Sequence, residues 1–581
     1  MLTEKKRLSH ILILIGIGLF LTLPVIIYGF PYNSHDGVGH AIWAKNFTAQ
    51  VWSGDLYPRW LLGMDGGLGS PAFFYYQPVP FYFASIFKPF FVSSDPDGWR
   101  LAGASASLGL IASGLCAYAW LQEITDRSSA LYSAILYMAM PYHLAVDLYV
   151  RGAISEVWAF VWMPSILYFL HKIRNGSQLA FVGLAVSYAL LIMSHLPTAF
   201  MFSIVLAGYV LLMADARWRL TILAFCSMLL GLGLSAIYWL PASLTQGYVA
   251  LDEMKEVYKS HFLLTTLDWQ QFVGQLSWIV IITTGLACCA YAISYSSKNK
   301  FRTLNTFWLI TAAFSLFMMT PPSKPLWHWL SSVLWKIVFP WRFNTVLSIA
   351  TISLLAASIP IINKPRRRLL ITIRMIAMIL LLSFVPITVW AAWRAYPVTY
   401  PIAGRTDLAN KLQEQNSELS EYRPRWAQSV LKSGLDALLL RIGTSGESLS
   451  KVNIIEGRGS VAVERWKPRE IILRVANEGE VLLQVSQFYY PGWTAQLINE
   501  PSSLIVLPSE PDGLLSISVP GGAHQVKLYL DELPTEHFGR IISTVSALAT
   551  LGLCLWLLVA RRVNRRDALS ANRKGLKQGA A

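Results

Sequence analysis

Residues 9–40 read SHILILIGIGLFLTLPVIIYGFPYNSHDGVGH. The stretch 9–29 has no charged side chain. At about 1.5 Å of rise per residue it is long enough to cross the roughly 30 Å hydrocarbon layer of a bilayer. Lys5, Lys6 and Arg7 precede it and no small-x-small cleavage site follows, so it reads as an anchor, not a removed signal peptide. The apolar run stops at Pro31, and Asp36 follows a few residues later. The reading thus puts a carboxylate at a membrane–water boundary.

The rest of the chain repeats the pattern. It has 581 residues, of which 54% are apolar and 14% charged. Soluble domains run near 45–50% and 25%. This composition excludes a soluble enzyme, a disordered chain and a fibrous protein. About twelve stretches are apolar and long enough to span: 9–29, 100–120, 129–146, 153–171, 179–194, 197–213, 219–240, 273–294, 304–319, 343–362, 369–392 and 540–560. The expected fold is a polytopic α-helical membrane protein. Cys116, Cys226, Cys288, Cys289 and Cys554 all fall inside apolar stretches and read as small buried residues, with no disulfide framework.

Lys and Arg in the short loops set the orientation. With the N-terminus cytoplasmic, the cytoplasmic segments hold 22 basic and five acidic residues, a net of +17 against +15 for the whole protein. The basic excess is therefore a topology signal held against anionic lipid headgroups, and it needs no nucleic-acid partner. Two long segments remain outside, 30–99 and 394–537. The domains follow: a membrane domain 1–393 with its outer loop 30–99, an extracytoplasmic domain 394–537, and a last span with a basic tail, 538–581. The extracytoplasmic domain begins with a polar, helical linker carrying Asp407, Lys411, Glu414 and Glu418. From about Lys451 the pattern alternates with period two over seven or so short runs, which predicts a β-sandwich. Tyr489-Tyr490-Pro491-Gly492-Trp493 reads as sandwich core plus turn, or as a surface that stacks on a sugar ring.

The loop 30–99 holds the densest chemistry. Partial desolvation at the boundary would raise the pKa of Asp36 and make it a better base; Asp is also a favoured helix N-cap, and both readings stand. His35, Asp36 and His40 form a weak candidate for a divalent cation site, with no third or fourth ligand evident nearby. Arg59, Asp65 and Tyr76 follow. The aromatic run Phe73–Phe83 is too short and too Pro-broken to span. It reads as an interfacial belt or as the wall of a path for a lipid chain. Near other outer span ends lie Asp147, Arg151, Glu156, His195, Lys336 and Arg342. Arginine at such a rim suits a lipid-linked phosphate, or simple snorkelling to headgroups. The spans hold almost no ionisable groups, which argues against an ion-coupled transporter.

Ser34-His35-Asp36, Leu56-Tyr57-Pro58-Arg59-Trp60, Gly67-Leu68-Gly69-Ser70-Pro71 and Phe74-Tyr75-Tyr76-Gln77-Pro78 resemble the first loop of a bacterial membrane-protein family. That family carries the label "6-pyruvoyl-tetrahydropterin synthase-related domain". Arg151-Gly152-Ala153-Ile154-Ser155-Glu156, Ser194-His195-Leu196-Pro197, Trp341-Arg342-Phe343 and Glu421-Tyr422-Arg423-Pro424-Arg425-Trp426 extend the resemblance over nearly the whole chain. The zinc-binding histidine set of the pterin synthases is absent. The layout is also similar to GT-C glycosyltransferases, and Tyr490-Pro491-Gly492-Trp493 resembles the tail of YfhO-type membrane proteins.

The GT-C resemblance implies an enzyme that transfers a sugar from a polyprenyl-phosphate donor to a glycan or lipid acceptor, on the outer face of the bacterial cytoplasmic membrane. It implies Asp36 as catalytic base, with His35 beside it where many members carry a paired acid. It further implies Arg342, Arg151, Lys336 and Arg59 at the donor phosphate, and His40, Asp65, Glu156, His195 and Tyr76 around the substrates. No cofactor is expected beyond a possible divalent cation. The competing readings are a non-catalytic scaffold or a glycolipid transporter in envelope polysaccharide assembly.

Overall fold

The structure is a computed structural model. It describes residues 2–91, 98–213, 218–295, 302–361, 368–396, 420–427, 430, 438, 444–445, 448–498, 500 and 502–578. The linker stretch with Asp407, Lys411, Glu414 and Glu418 lies outside the described residues.

The first two-thirds of the chain is helical, and a β-sheet domain follows before the last helix. Among the described residues, five helices are long and apolar enough to cross a membrane: Trp99–Leu121, Leu196–Met213, Phe272–Tyr295, Ile371–Ala395 and Pro534–Ala560. Three bent pairs would bring the number to eight, each broken by 70° to 81°. One of them, Trp218–Leu234 with Ala236–Leu244, replaces the straight expected run 219–240.

The expected run 129–146 is also divided. A helix Arg127–Ala139 stops just before Pro141, and Tyr142–Val150 continues in wider, π-helical turns. Pro141 lacks the N–H an α-helix needs at that point, and its ring crowds the preceding turn. The π segment is buried throughout. It carries Asp147 inward and delivers Arg151 to the start of the next helix, Ile154–Arg174.

Among the described residues the two large sheets have nine strands: β1 Val452–Glu456, β2 Gly459–Lys467, β3 Glu470–Asn477, β4 Val481–Phe488, β5 Trp493–Leu497, β6 Ser503–Leu504, β7 Val506–Pro508, β8 Leu514–Val519 and β9 Gly522–Leu530. They form two antiparallel sheets, β1-β4-β8-β7 and β2-β3-β9-β5-β6. Leu473, Val475 and Val526 of one sheet share a core with Leu483, Val485 and Ile517 of the other, so the sheets face each other as a sandwich.

That core reaches into the first loop. Trp60, Leu68, Phe74 and Tyr75 are buried in the same cluster. Gln487 at the end of β4 donates to the Gly67 carbonyl at 2.6 Å and accepts from Trp60 Nε1 at 3.0 Å. Tyr490 Oη lies 2.8 Å from Tyr75 Oη, and the Trp493 ring packs edge-on against Trp60. Tyr490 and Trp493 are therefore core and docking material: of the two readings of this turn the structure favours sandwich core over an exposed sugar-stacking surface.

The aromatic run divides between core and cavity. It folds into two short helices, Ala72–Tyr75 and Val79–Ile86, with Phe73, Phe74 and Phe81 buried. Phe83 stacks on Trp158 with 3.9 Å between ring centroids. Phe73, Phe74, Phe81 and Phe83 bind the loop to its neighbours, while Tyr75 and Tyr76 of the same run line a large cavity.

Candidate active site

Three consecutive carbonyls hold the start of the first loop. Val150 O accepts from His35 N at 3.1 Å, Arg151 O from Asp36 N at 2.7 Å, and Gly152 O from His40 Nδ1 at 2.6 Å. The close approach depends on Gly152. It adopts φ +65°, and a Cβ there would lie 2.5 Å from Ser34 Oγ. Because a carbonyl only accepts, Nδ1 of His40 carries the proton. Its Nε2 then accepts from the Tyr76 hydroxyl at 2.7 Å. Burial lowers the His40 pKa below the ordinary imidazole value, with Asp36 and the Gly152 bond opposing. Both ring nitrogens are thus committed.

Asp36 heads the helix Gly37–Trp52, but its side chain makes no capping hydrogen bond. It is exposed, as is His35, whose ring sits edge-on to Phe272. The Asp36 side chain therefore stands clear of the helix end that it heads. Its carboxylate opens instead into a cavity of about 900 Å³.

Arg151, Arg342, Lys336, His35, His40, His195 and Tyr76 line the same cavity. Behind its wall lies a buried network. Arg151 Nη1 donates to Asp147 Oδ1 and to Glu156 Oε2, both at 2.6 Å. Glu156 also accepts from Tyr142 at 2.9 Å and Thr345 at 2.7 Å, and its Oε2 lies 3.9 Å from Arg342 Nε. Glu156 is not among the residues that line the cavity; it orients Arg151, which is. His195 Nδ1 lies 2.7 Å from Thr198 Oγ1.

Exposed Lys336, in the short helical turn Trp335–Ile337, and Arg342, in the turn Pro340–Phe343, stand on either side of a 70° bend. Val338 between them adopts φ +67°, a costly conformation for a β-branched residue. Arg342 Nη1 donates to Ile337 O at 2.7 Å, and Trp341 lies under the Arg151 guanidinium at 4.5 Å. Leu196, Phe200, Leu251, Met254, Val333 and Phe339 make the apolar part of the lining.

Two expected site residues lie elsewhere. Arg59 pairs with buried Glu536 and donates to Ile237 O at 2.6 Å. Glu536 also receives Arg469 at 2.9 Å. Asp65 is buried against Arg423 at 3.0 Å. Desolvation raises the Asp65 pKa, and Arg423 opposes the shift. Both residues fasten the loop to what lies beyond it and do not reach the cavity.

Among the described residues, no three His, Cys, Asp or Glu side chains group as a metal site. One exposed carboxylate, one imidazole against Phe272 and a second already bonded at both nitrogens are a poor ligand set.

Sequence reasoning missed Trp341, Thr345 and Tyr142 as supports, and Tyr422 as a lining residue. Tyr422 and Arg423 lie in one recognised motif; Tyr422 faces the cavity, near Trp43 and Tyr76, while Arg423 holds Asp65.

Several solved structures are similar at low identity. The arabinofuranosyltransferase AftD from Mycobacteria matches at 15% identity over 70% of this chain, with a TM-score of 0.44. The present chain spans only 29% of that protein's length. The oligosaccharyltransferase of Archaeoglobus fulgidus in its apo form matches at 15% identity over 76% of this chain and 61% of its own, with a TM-score of 0.41. ArnT from Cupriavidus metallidurans in the apo state matches at 12% identity over 76% of this chain and 82% of its own, with a TM-score of 0.39. No curated protein matches. Residues 73–396, which carry Arg151, Glu156, His195 and Arg342, match the family described as "6-pyruvoyl-tetrahydropterin synthase related domain; membrane protein". With more than half of the chain and most of the cavity inside that match, the protein belongs to this membrane-protein family.

Proposed function

We propose that the protein is a membrane glycosyltransferase of the GT-C type, taking a sugar from a polyprenyl-phosphate donor and passing it to a glycan or lipid acceptor at the outer face of the bacterial cytoplasmic membrane. The observation that carries this reading is the shared cavity: an uncommitted, exposed carboxylate at Asp36 opens into the same space as Arg151, Arg342 and Lys336. An acid alone suits many roles, and rim cations alone suit lipid headgroups. Together with an apolar lining they match a reaction that needs a base, a phosphate clamp and room for an isoprenoid.

Asp36 accepts the proton of the acceptor hydroxyl. The oxygen attacks the anomeric carbon from the face opposite the phosphate, and the bond from that carbon to the phosphate oxygen breaks. The proton stays on the Asp36 carboxyl and the electron pair leaves with polyprenyl phosphate. Arg342, Lys336 and Arg151 stabilise the charge that develops on the leaving phosphate. Glu156 holds Arg151 and the Ile337 carbonyl holds Arg342, so little reorganisation accompanies the step.

Binding of a polyprenyl phosphate and of the uncharged polyprenol of equal chain length tests the clamp. The phosphate should bind and raise the thermal stability of the purified protein, and the alcohol should do neither. Equal effects of the two would remove the phosphate site, and with it the donor.

A further inference from the structure

His195 stands where two helices meet. It ends the helix Leu179–Ser194, giving its N–H to the Leu191 carbonyl at 2.9 Å. Its own carbonyl accepts from Ala199 N at 3.0 Å, in the next helix, Leu196–Met213. Pro197 lacks an N–H and suits the first turn of a helix, so a new helix starts there and His195 is left extended, at φ −157° and ψ 95°. The imidazole is only 5% exposed, yet it lines the cavity that Asp36, Arg151 and Arg342 share.

The two ring nitrogens differ. Nδ1 lies 2.7 Å from the hydroxyl of Thr198, three residues on in the first turn of the new helix. Nε2 has no hydrogen-bond partner among the described residues, and it is not sealed from open space. The Thr198 hydroxyl is fully buried and has no second partner among them. A buried hydroxyl proton needs an acceptor. Nδ1 is the one in reach, so Thr198 donates to it, and the ring's own proton stands on Nε2. Burial lowers the His195 pKa; Glu156 opposes, and Arg342 and Arg151 add to the fall. The ring is therefore neutral, with its single N–H on the nitrogen left for the cavity.

Resting on the polyprenyl-phosphate donor read above, we propose that His195 Nε2–H is a neutral hydrogen-bond donor to that phosphate, held in this tautomer by Thr198. Arg151 and Arg342 line the same cavity and act electrostatically on the ring, so an anion drawn to the guanidiniums stands beside Nε2. A neutral donor adds direction to the phosphate site without setting a further cation against the two arginines. It also fixes what happens to the protons. An imidazolium could hand a proton to the leaving phosphate, but a neutral imidazole keeps its N–H. The phosphate leaves as an anion, and the proton of the acceptor hydroxyl stays on Asp36.

Nitrogen NMR of the full-length protein carrying isotope-labelled histidine tests the tautomer. Of the ten histidines, His195 is the one whose signals are missing from His195→Gln. Its Nε2 should be protonated and its Nδ1 bare, and added polyprenyl phosphate should shift Nε2 far more than Nδ1. Binding of the same lipid tests the contact. His195→Leu should weaken it about tenfold or more, the weight of a hydrogen bond to a charged group. Thr198→Val should weaken it too, although Val touches nothing in the cavity, whereas Thr198→Ser should not. His195→Gln, whose amide N–H can reach the place of Nε2, should retain most of the affinity. A proton on Nδ1, protons on both nitrogens, or a Leu variant that binds like the wild type overturns the proposal. Lipid that binds the wild type without moving Nε2 removes this contact alone and leaves the donor reading standing. Lipid that fails to bind the wild type removes both.

Discussion

The backbone N–H of Asp36 donates to the carbonyl of Arg151 at 2.7 Å. One backbone bond thus ties the candidate base to the chain that bears a candidate phosphate ligand. Neither side chain is spent on the connection. The Asp36 carboxylate stays exposed, and the Arg151 guanidinium is free to face both the cavity and its buried carboxylates.

Asp36→Asn should lower sugar transfer by roughly 10²–10⁴, the usual contribution of a positioned base. It should leave Tm and donor binding unchanged. Since the side chain caps nothing, Asp36→Ala should be as stable as the Asn variant, whereas a capping aspartate would cost about 1 kcal/mol on replacement by Ala. Transfer assays beside thermal unfolding check both. An active Asn variant would sink the base assignment.

Arg342→Ala should weaken polyprenyl-phosphate binding more than Arg342→Lys, because the planar guanidinium meets phosphate with two bonds and an ammonium only with charge. Arg151→Ala should instead fail to fold well. It leaves Asp147 and Glu156 buried without their cation, a loss of about 3–5 kcal/mol. Binding measurements for Arg342 and expression levels for Arg151 separate the two roles.

Glu536→Gln should destabilise the protein by about 3 kcal/mol, read as a lower Tm, since it strands Arg59 in a buried site and removes the partner of Arg469. The cavity residues are untouched. Transfer at low temperature should therefore persist in the fraction that remains folded.

His40 supplies a pH signature. Its folded pKa lies below the unfolded value of about 6.5, so below that pH the unfolded chain takes up a proton that the folded chain resists. Stability should then fall as pH drops below about 6.5, by up to about 1.4 kcal/mol per unit. His40→Gln should flatten that part of the profile in unfolding experiments between pH 7 and 5. An unchanged slope would show that His40 protonates freely.

A reporter active only in the cytoplasm, fused after Ser445, should be silent. Activity there would invert the orientation and move Asp36 to the wrong side for an outer-face reaction.

The helical membrane domain was legible because apolar length and loop charge act locally along the chain. The same locality brought Arg151, Lys336, His195 and Arg342 to notice, since span ends on one face of a membrane have little choice but to meet. Pairings across long separations were not legible. Arg59 and Asp65 look like rim residues until their partners are seen, and those partners lie 477 and 358 positions away. Nor does composition distinguish a ring that faces lipid from one that faces core, which is why the sequence alone leaves Phe73 and Phe81 open to an interfacial role. The run 129–146 read as one span because hydropathy averages over Pro141, which alone turns its end inward.

Glu536 also sets an order of events during synthesis. Arg59 leaves the ribosome 477 residues before its partner. At roughly 5–20 residues per second, that is about half a minute or more with an unmatched cation in the first loop. Every residue lining the cavity of the candidate active site has been made by Tyr422, yet one fastening of the loop, Arg59 on Glu536, waits for the last helix. A nascent chain therefore holds all of its candidate chemistry before it can close around it. Ribosome-bound intermediates should be open assemblies, vulnerable to proteases at the loop until the final span inserts.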